Sequence, residues 1–241
     1  MKNLMAAVGF LTILPAGRPD RFDPEKMIPY FPVVGLLLGG ILAGCDRIFL
    51  NLWPLPVASL LDVVLLAALT GAFHLDGLGD TADGLFGHHP REKALVIMKD
   101  SRIGAMGVVA IVCVLLLKWA GIGSLSSDRS LLLLVVPAYA RAGMILGIRF
   151  LRYGRSDAGL GSGFFADAMK PTVLMVILLP VLLSLLLGWK AVLLNLCFLF
   201  LSATILFYYQ KRLGCITGDM LGAMTEGIEA LLFLLSSLGE V

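Results

Sequence analysis

The stretch FHLDGLGDTADGLFG, residues 73–87, follows directly on the apolar run LPVASLLDVVLLAALTGA at residues 55–72. Its aspartates Asp76, Asp80 and Asp83 are spaced i, i+4 and i+7, which places three carboxylates on one face of a helix. Like charges at this spacing repel one another, so the requirements of folding do not explain the pattern. We expect this face, at the edge of a membrane span, to receive a cation.

The composition of the 241-residue chain is that of a membrane protein. Hydrophobic residues make up 59% and charged residues 15%, with a mean hydropathy of +0.93, far more apolar than a soluble domain of this length. A net charge of +2 is too small for nucleic-acid binding, so no such partner is expected. The four cysteines form no C-x-x-C pair, which indicates neither a disulfide framework nor a thiolate metal site. We predict one all-α, polytopic domain over residues 1–241, surrounded by membrane lipid.

Apolar runs long enough to cross about 30 Å of hydrocarbon predict six to seven transmembrane helices. They lie at about residues 29–48, 55–74, 105–123, 131–149, 172–189 and 190–209, with a seventh candidate at 220–238. The seventh run contains Glu226 and Glu229, so we expect it to lie partly at the membrane interface. Residues 1–14 predict an uncleaved amphipathic segment that Pro15 ends.

Lysine and arginine are distributed unevenly between the two ends of these helices. With the N-terminus in the cytoplasm, the cytoplasmic loops carry fourteen of them, and the opposite loops carry only Arg47, Arg129 and Lys190. The excess predicts a cytoplasmic N-terminus. All the polar motifs then lie on the cytoplasmic side, as expected for a reaction chamber that opens inward.

The aspartate stretch has the ligands of a hard cation. Two or three carboxylate oxygens can converge, and Gly77, Gly79 and Gly84 leave room for a bulky ligand. Mg²⁺ is the expected cofactor, because it is usually held by one or two carboxylates together with substrate phosphates. The structural alternative is a solvated helix end with aspartates as turn formers. His74, directly before the aspartates, is a candidate general base or a polar residue at a helix end.

A second motif, IMKDSRIGAMG at residues 97–107, supplies candidate phosphate ligands. Lys99 and Arg102 can neutralise phosphate oxygens, and Asp100 can join the metal or orient the arginine. The alternative is the ordinary flanking of a span by basic residues.

A third motif, GCITGDMLGAMTEGIE at residues 214–229, combines a helix start with buried acids. Thr217 is a candidate N-cap and anion-binding turn, while Asp219 and Glu226 share one helical face. Arg141, inside the fourth predicted span, needs a polar partner, because an isolated charge at that depth is costly. The three carboxylate motifs or a phosphate are the expected partners.

These motifs, in this order, resemble one known family. HLDGLGDTADGLFG, IMKDSRIGAMG and GCITGDMLGAMTE, with the entry segment FLTILPAGRPDRFDPEKMIPYFPVVGLLLGG at residues 10–40, are similar to the cobalamin synthases, the adenosylcobinamide-GDP ribazoletransferases of vitamin B12 assembly. The resemblance covers nearly the whole chain. It implies a multi-pass inner-membrane enzyme that joins α-ribazole, or its 5′-phosphate, to adenosylcobinamide-GDP, releases GMP and requires Mg²⁺.

The resemblance and the residues together predict a site. The predicted metal ligands are Asp76, Asp80, Asp83, Asp219 and Glu226. The predicted substrate-binding residues are Lys99, Asp100, Arg102, Arg141, Arg152 and Thr217. Asp80, or else His74, is expected to accept the proton of the attacking ribose hydroxyl.

Two other classes of protein also place aspartates in membranes. CDP-alcohol phosphotransferases and prenyltransferases use Mg²⁺ on a diphosphate, but the pattern D-x2-D-G-x2-A-R-x8-G-x3-D-x3-D of the former is absent here. An ion or vitamin transporter needs polar groups at the midplane and on both faces, whereas these motifs lie on one. The sequence leaves open the number of metal ions, the lower-ligand base and the oligomeric state, a homo-oligomer included.

Overall fold

The structure is a computed structural model that describes residues 2–16, 23–87, 89–126, 128–155, 161–165 and 169–238. Within these ranges the α-helices are α1 (Lys2–Leu11), α2 (Pro24–Met27), α3 (Phe31–Leu52), α4 (Leu55–Leu69), α5 (Phe73–Phe86), α6 (Arg91–Ile97), α7 (Ala105–Gly123), α8 (Arg129–Phe150), α9 (Leu178–Ser184), α10 (Trp189–Arg212) and α11 (Gly218–Ser236). Short 3-10 helices lie at Ile28–Tyr30, Ser162–Phe165, Pro171–Ile177 and Leu185–Leu187. The predicted helical membrane fold is confirmed.

Four helical segments in the described ranges are long and apolar enough to cross a membrane: Pro24–Leu52, α7, α8 and α10. The pair α4 and α5 passes the same test only as one broken span, bent by 89°. The bend is made at Gly71 and Ala72, whose φ angles of 59° and 56° are left-handed. Alanine adopts this conformation at a cost, so the surrounding contacts must hold the turn.

The fifth predicted span, at about residues 172–189, is also interrupted. It consists of the short apolar segment Pro171–Leu187, in which 3-10 turns flank α9. The described residues therefore contain four candidate spans, or five with the bent pair, by length and apolar character. The predicted count of six to seven stays a prediction.

Glycines set the closest helix contacts, between α3 and α8. A Cβ atom added at Gly35 would lie 2.4 Å from Ala138 Cα, and one added at Gly39 would lie 2.2 Å from the carbonyl oxygen of Leu134. Only a residue without a side chain allows the two backbones to approach this closely. Such small-residue contacts are a main source of helix association in lipid, where apolar burial between helices gives little.

Helix α11 lies at the centre of the bundle, in contact with α5, α7, α8 and α10. Most of it, including Glu226 and Glu229, is buried by its neighbours. It is not among the described segments that pass the length and hydropathy test for a membrane span, and the expectation that it lies partly at the membrane interface stays a prediction. Two glycines, one on α7 and one on α5, allow these helices to approach α11 closely. A Cβ atom at Gly121 of α7 would lie 2.6 Å from the backbone nitrogen of Leu234, and one at Gly77 of α5 would lie 2.8 Å from the carbonyl oxygen of Asp219.

The outer surface of the bundle is apolar. On α10 the exposed fractions of Phe200 and Phe207 are 71% and 70%. On α7 those of Val109 and Leu116 are 56% and 53%. Side chains of this kind are costly in water and favourable against hydrocarbon. These faces are where we expect membrane lipid.

We predict that Gly39→Ala lowers the free energy of unfolding by about 1–3 kcal/mol, because the new methyl group forces α3 away from α8. The matched control is Gly44→Ala on the same helix, where an added Cβ meets no atom within 4 Å. That variant should be neutral or stabilised by up to about 1 kcal/mol, since alanine is the better helix former. Thermal unfolding of the purified proteins in detergent checks both, and equal losses of stability would contradict the packing argument.

Candidate functional site

The acidic rim, defined as Asp76, Asp80 and Asp219, forms where α5 passes the N-terminus of α11. The close contact between Gly77 and the backbone of Asp219 brings the carboxylates of the two helices together. Asp80 lies within electrostatic range of Asp219 and Asp76. Asp76 is exposed, while Asp80 and Asp219 are half-buried. The carboxylates of Asp76 and Asp80 form no hydrogen bond or ion pair with another described residue, so they are available to a ligand.

Asp83 does not belong to the rim, which corrects one predicted metal ligand. Its Oδ2 accepts a hydrogen bond from the backbone N–H of Gly104 at 2.7 Å, and its Oδ1 accepts one from the N–H of Gly107 at 2.8 Å. These amides open α7, where the helix dipole also favours a negative charge. A Cβ at either glycine would lie 2.5 Å from the carboxylate, so the glycines make room for it. Both oxygens of Asp83 thus anchor a helix.

Asp219 is the one member of the rim with a cationic partner among the described residues. Arg155 donates to its Oδ2 and also donates to the carbonyl oxygen of Met98 at 3.1 Å. Thr217 acts as the N-cap of α11, since its hydroxyl accepts from the N–H of Met220 at 3.3 Å. It is fully buried, which favours the cap interpretation over direct substrate binding. Arg155 is not among the substrate-binding residues that the sequence predicted.

Glu226 and Arg141 are held away from the rim, which corrects the predicted roles of metal ligand and substrate ligand. The expectation that Arg141 has a carboxylate of the three motifs as its partner is confirmed. Lys118 Nζ donates to Glu226 Oε2 and to Glu229 Oε2, each at 2.6 Å, and Arg141 donates to Glu229 Oε1. All four side chains are buried. We call these residues the buried charge network; it joins α7, α8 and α11. Each charge has an opposite partner, as an ionised group inside a membrane protein requires.

Lys118 was missed as a partner by the sequence analysis. It lies in the run AMGVVAIVCVLLLKWAGIG of α7, near its far end. A lysine in so apolar a helix predicts a buried carboxylate opposite it. Glu226 and Glu229, in an equally apolar run, were the matching half of that signal.

His74 faces a small cavity between aromatic side chains. The cavity has a volume of about 40 Å³ and is lined by Phe10, Phe31 and Phe164, among others. The imidazole is fully buried, and neither ring nitrogen has a hydrogen-bond partner among the described residues. A space that holds about three water molecules at most does not admit a ribose. In this arrangement Asp80, not His74, is the more accessible base.

The remaining predicted substrate ligands lie on the surface at the same end of the molecule. Arg102 Nε donates to Asp100 Oδ1 at 2.9 Å, and this exposed pair lowers the pKa of Asp100 to about 2. Asp100 therefore orients the arginine, one of its two predicted roles. Lys99 and Arg152 are exposed. The contact between Arg155 and Met98 places the segments that carry them on either side of the acidic rim.

The predicted set of five metal ligands does not converge. Over the described part of the chain, no group of three or more His, Cys, Asp or Glu side chains is arranged to hold a metal ion by itself. Asp83 and Glu226 are engaged in structural contacts, which leaves the acidic rim. Any cation bound there must take further ligands from water or from a substrate.

A second group of charges, outside the three polar motifs, lies at the opposite end of the bundle. Arg129 of α8 donates to Asp46 Oδ1 at 2.7 Å, to Asp62 Oδ2 at 2.7 Å and to the hydroxyl of Ser59 at 3.1 Å. These residues tie α3 and α4 to α8 and are buried. Their mutual pairing indicates a structural clamp.

Comparison with known proteins gives one consistent result. A family described as cobalamin-5-phosphate synthase matches residues 3–237. A protein of Geotalea daltonii named adenosylcobinamide-GDP ribazoletransferase is 40% identical over 231 residues, covering 94% of this chain and 93% of the relative. Proteins of the same name from Acetivibrio thermocellus and Desulforamulus reducens are each 37% identical, over 94% and 99% of this chain and 93% and 97% of their own length. No solved structure matches.

We predict that Lys118→Met lowers the free energy of unfolding by about 3–5 kcal/mol, because it leaves Glu226 and Glu229 to share one arginine. The control is Lys190→Met, whose pair with Asp128 at 2.8 Å is partly exposed and should be worth about 1 kcal/mol or less. Thermal unfolding in detergent compares the two. Similar shifts for both variants would show that the network is not a buried clamp.

We predict that Asp83→Asn loosens the first turn of α7, because an amide cannot accept from two N–H groups with the strength of a carboxylate. The free energy needed to open this turn should fall by about 2 kcal/mol. Hydrogen exchange of the amides of Gly104 and Gly107 measures it directly. Asp76→Asn, at a rim carboxylate that makes no hydrogen bond to a described residue, is the control. Unchanged protection of these two amides in Asp83→Asn would show that the Asp83 carboxylate does not hold the turn and is free to bind a ligand.

Proposed function

The chain belongs to the cobalamin-5-phosphate synthase family, and we propose that it transfers α-ribazole, or its 5′-phosphate, onto adenosylcobinamide-GDP. It is a membrane enzyme of cobalamin biosynthesis. In the proposed reaction a ribose hydroxyl oxygen forms a bond to the phosphorus next to the corrinoid, and the bond from that phosphorus to GMP breaks. The hydroxyl proton passes to a base. The products are adenosylcobalamin, or its 5′-phosphate, and GMP.

The observation that carries this proposal is the acidic rim with an arginine, Arg155, beside it. Asp76 and Asp80 lack a cationic partner among the described residues, and Arg155 reaches Asp219 from the next segment. Phosphoryl transfer requires that reactants be held in line while charge on the phosphate oxygens is neutralised. A rim that combines free carboxylates with an adjacent arginine can position both a cation and a phosphate. An ordinary folding contact would have paired these carboxylates.

Mg²⁺ is the cofactor that fits these residues. Asp76 and Asp80, with Asp219 next to them, offer hard oxygen ligands, and the absence of a three-residue cage in the described chain agrees with an ion that usually takes one or two carboxylates and shares substrate phosphates. When bound, Mg²⁺ would neutralise the diphosphate and stabilise the departing GMP. The chain itself brings α5 and α11 together through the Gly77 contact, and it holds Arg155 against Asp219.

Asp80 is the proposed general base. It is half-buried, and the nearby charges of Asp219, Asp76 and Asp83 all make proton uptake easier. Arg155 acts in the opposite sense, so the balance depends on what occupies the rim. His74, the other candidate, is enclosed by phenylalanines and has no path to a substrate hydroxyl in this arrangement.

We also propose that the rim faces the cytoplasm of a bacterial inner membrane. The basic residues of the segments at 91–102 and 149–155 lie at the same end as Asp80, and the opposite end has few lysines and arginines. This is the distribution that the positive-inside rule describes. The nucleotide-activated substrate and the GMP product would then be exchanged with the cytoplasm.

The transporter and phospholipid-enzyme alternatives are weaker after the structure. A transporter would need an open polar path, and the interior charges of the described chain are paired with one another. A relation to CDP-alcohol phosphotransferases has no support in the family match. The transferase is the function that both the site and the relatives support.

We predict that Asp80→Asn lowers turnover at least about 100-fold, because it removes both the base and a ligand of the cation. Release of GMP from adenosylcobinamide-GDP and α-ribazole, in detergent with excess Mg²⁺, measures it. The control is Glu92→Gln, which removes an exposed carboxylate 3.8 Å from Arg91 and outside the predicted site, and which should retain turnover within about twofold. Wild-type rates for Asp80→Asn would end the proposal for the rim.

A further inference from the structure

A separate cavity of about 630 Å³ opens beside the acidic rim. It lies between the end of α8, the 3-10 turn Ser162–Phe165 and residues 169–171. Its volume is within the range of pockets that enclose a cofactor or a nucleotide. Nothing in the proposed role of the rim uses this space, so its lining must be explained separately.

The described residues that line this cavity carry positive charge. Arg149, Arg152 and Lys170 line it, and no carboxylate does so among the described residues. Arg152 and Lys170 are exposed, and Arg149 lies over the ring of Phe150 at 5.8 Å. Three cations around one opening favour an anion with several charged oxygens, such as a diphosphate. Positive-inside anchoring alone does not require them to share a cavity.

Three aromatic residues, Tyr153, Phe164 and Phe165, line the same cavity. The rings of Tyr153 and Phe165 lie with their centroids 5.1 Å apart and their planes at 33° to each other. A planar heterocycle can stack on such faces, and this contact is common where proteins hold nucleotide bases. The combination of aromatic faces and cations matches a nucleotide better than a lipid headgroup, which has no base.

The cavity and the acidic rim share one short segment of chain. The N–H of Ile216 donates to the carbonyl oxygen of Arg152 at 2.9 Å, and the N–H of Gly154 donates to the carbonyl oxygen of Ile216 at 2.9 Å. Arg152 and Tyr153 line the cavity, and two residues later Arg155 reaches Asp219. Because the segment is pinned to the start of α11, a ligand in the cavity can extend its phosphates directly to the rim.

We propose that this cavity binds the nucleoside diphosphate end of the activated corrinoid substrate. Tyr153 and Phe165 receive the base, while Arg149, Arg152 and Lys170 hold the phosphates so that the bond to be broken lies at the rim. This inference rests on the proposed transferase function and adds a nucleotide subsite to it. The 5′-phosphate of ribazole is a second nucleotide with similar chemistry, but it carries fewer charges than the three cations can neutralise.

The test uses the full-length protein in detergent and two substitutions in the cavity, Arg152→Ala and Phe165→Ala. Each should raise the KM for adenosylcobinamide-GDP about tenfold or more, because a charged contact or a stacking contact to the base is removed. The KM for α-ribazole should stay unchanged. The Kd of free GDP, measured by equilibrium dialysis, should rise by a similar factor. The control is Arg47→Ala, which removes the cation from a cavity of about 430 Å³ lined by Gly40, Ser130 and others, and should alter neither constant.

The outcomes separate the two proposals. A wild-type protein that binds GDP through this cavity but releases no GMP from the two substrates would refute the transferase and keep the nucleotide site. Turnover with unchanged constants in both variants would refute the nucleotide site and keep the transferase. A rise in the KM for ribazole 5′-phosphate alone would move that substrate into the cavity and overturn the assignment. An effect seen only in vesicles with anionic lipid, and not with GDP, would identify a lipid site and overturn it equally.

Discussion

The pairing of Lys118 and Arg141 with Glu226 and Glu229 is the interaction on which the arrangement of the helices depends. In lipid there is little apolar driving force between helices, so directional contacts decide which faces meet. Lys118 reaches both glutamates from α7, and Arg141 reaches Glu229 from α8. A rotation of α11 about its axis would leave charges unpaired inside the bundle, at a cost of several kcal/mol. The network therefore fixes the rotation of α11.

Fixing α11 also fixes the site at its start. Asp219 lies two turns before Glu226 on the same helix, so its direction follows from that of the glutamates. Gly77 then lets α5 approach the Asp219 backbone, and Asp83 fastens the far part of α5 to α7. The acidic rim is thus built by contacts outside it. This explains how the carboxylates of Asp76 and Asp80, which have no cationic partner among the described residues, can be held close to Asp219, which is paired with Arg155.

The sequence predicted the parts of this arrangement that depend on local pattern. Helical periodicity and apolar length located the main helices, and the spacing of Asp76 and Asp80 placed them on one face. The bend at Gly71 and Ala72 was not predictable, because an alanine in the left-handed region is set by its surroundings and not by its own preference. The separate fates of Asp83 and Glu226 were equally hidden. One-dimensional spacing brings carboxylates to a face, but only the neighbouring helix decides whether amides, a lysine or open space lies opposite.

The distribution of paired and unpaired charge distinguishes structure from function in this protein. Arg129 with Asp46 and Asp62, and Lys118 with Glu226 and Glu229, are buried groups in which each cation is hydrogen-bonded to carboxylates. These charges are neutralised by their partners inside the fold, and a ligand could bind there only by breaking the ion pairs. Asp76 and Asp80 keep their charge at an accessible edge, where an incoming cation and phosphate gain the full interaction. Selection for stability alone would favour pairing these carboxylates too, so their exposure at the rim is best explained by the chemistry that occurs there.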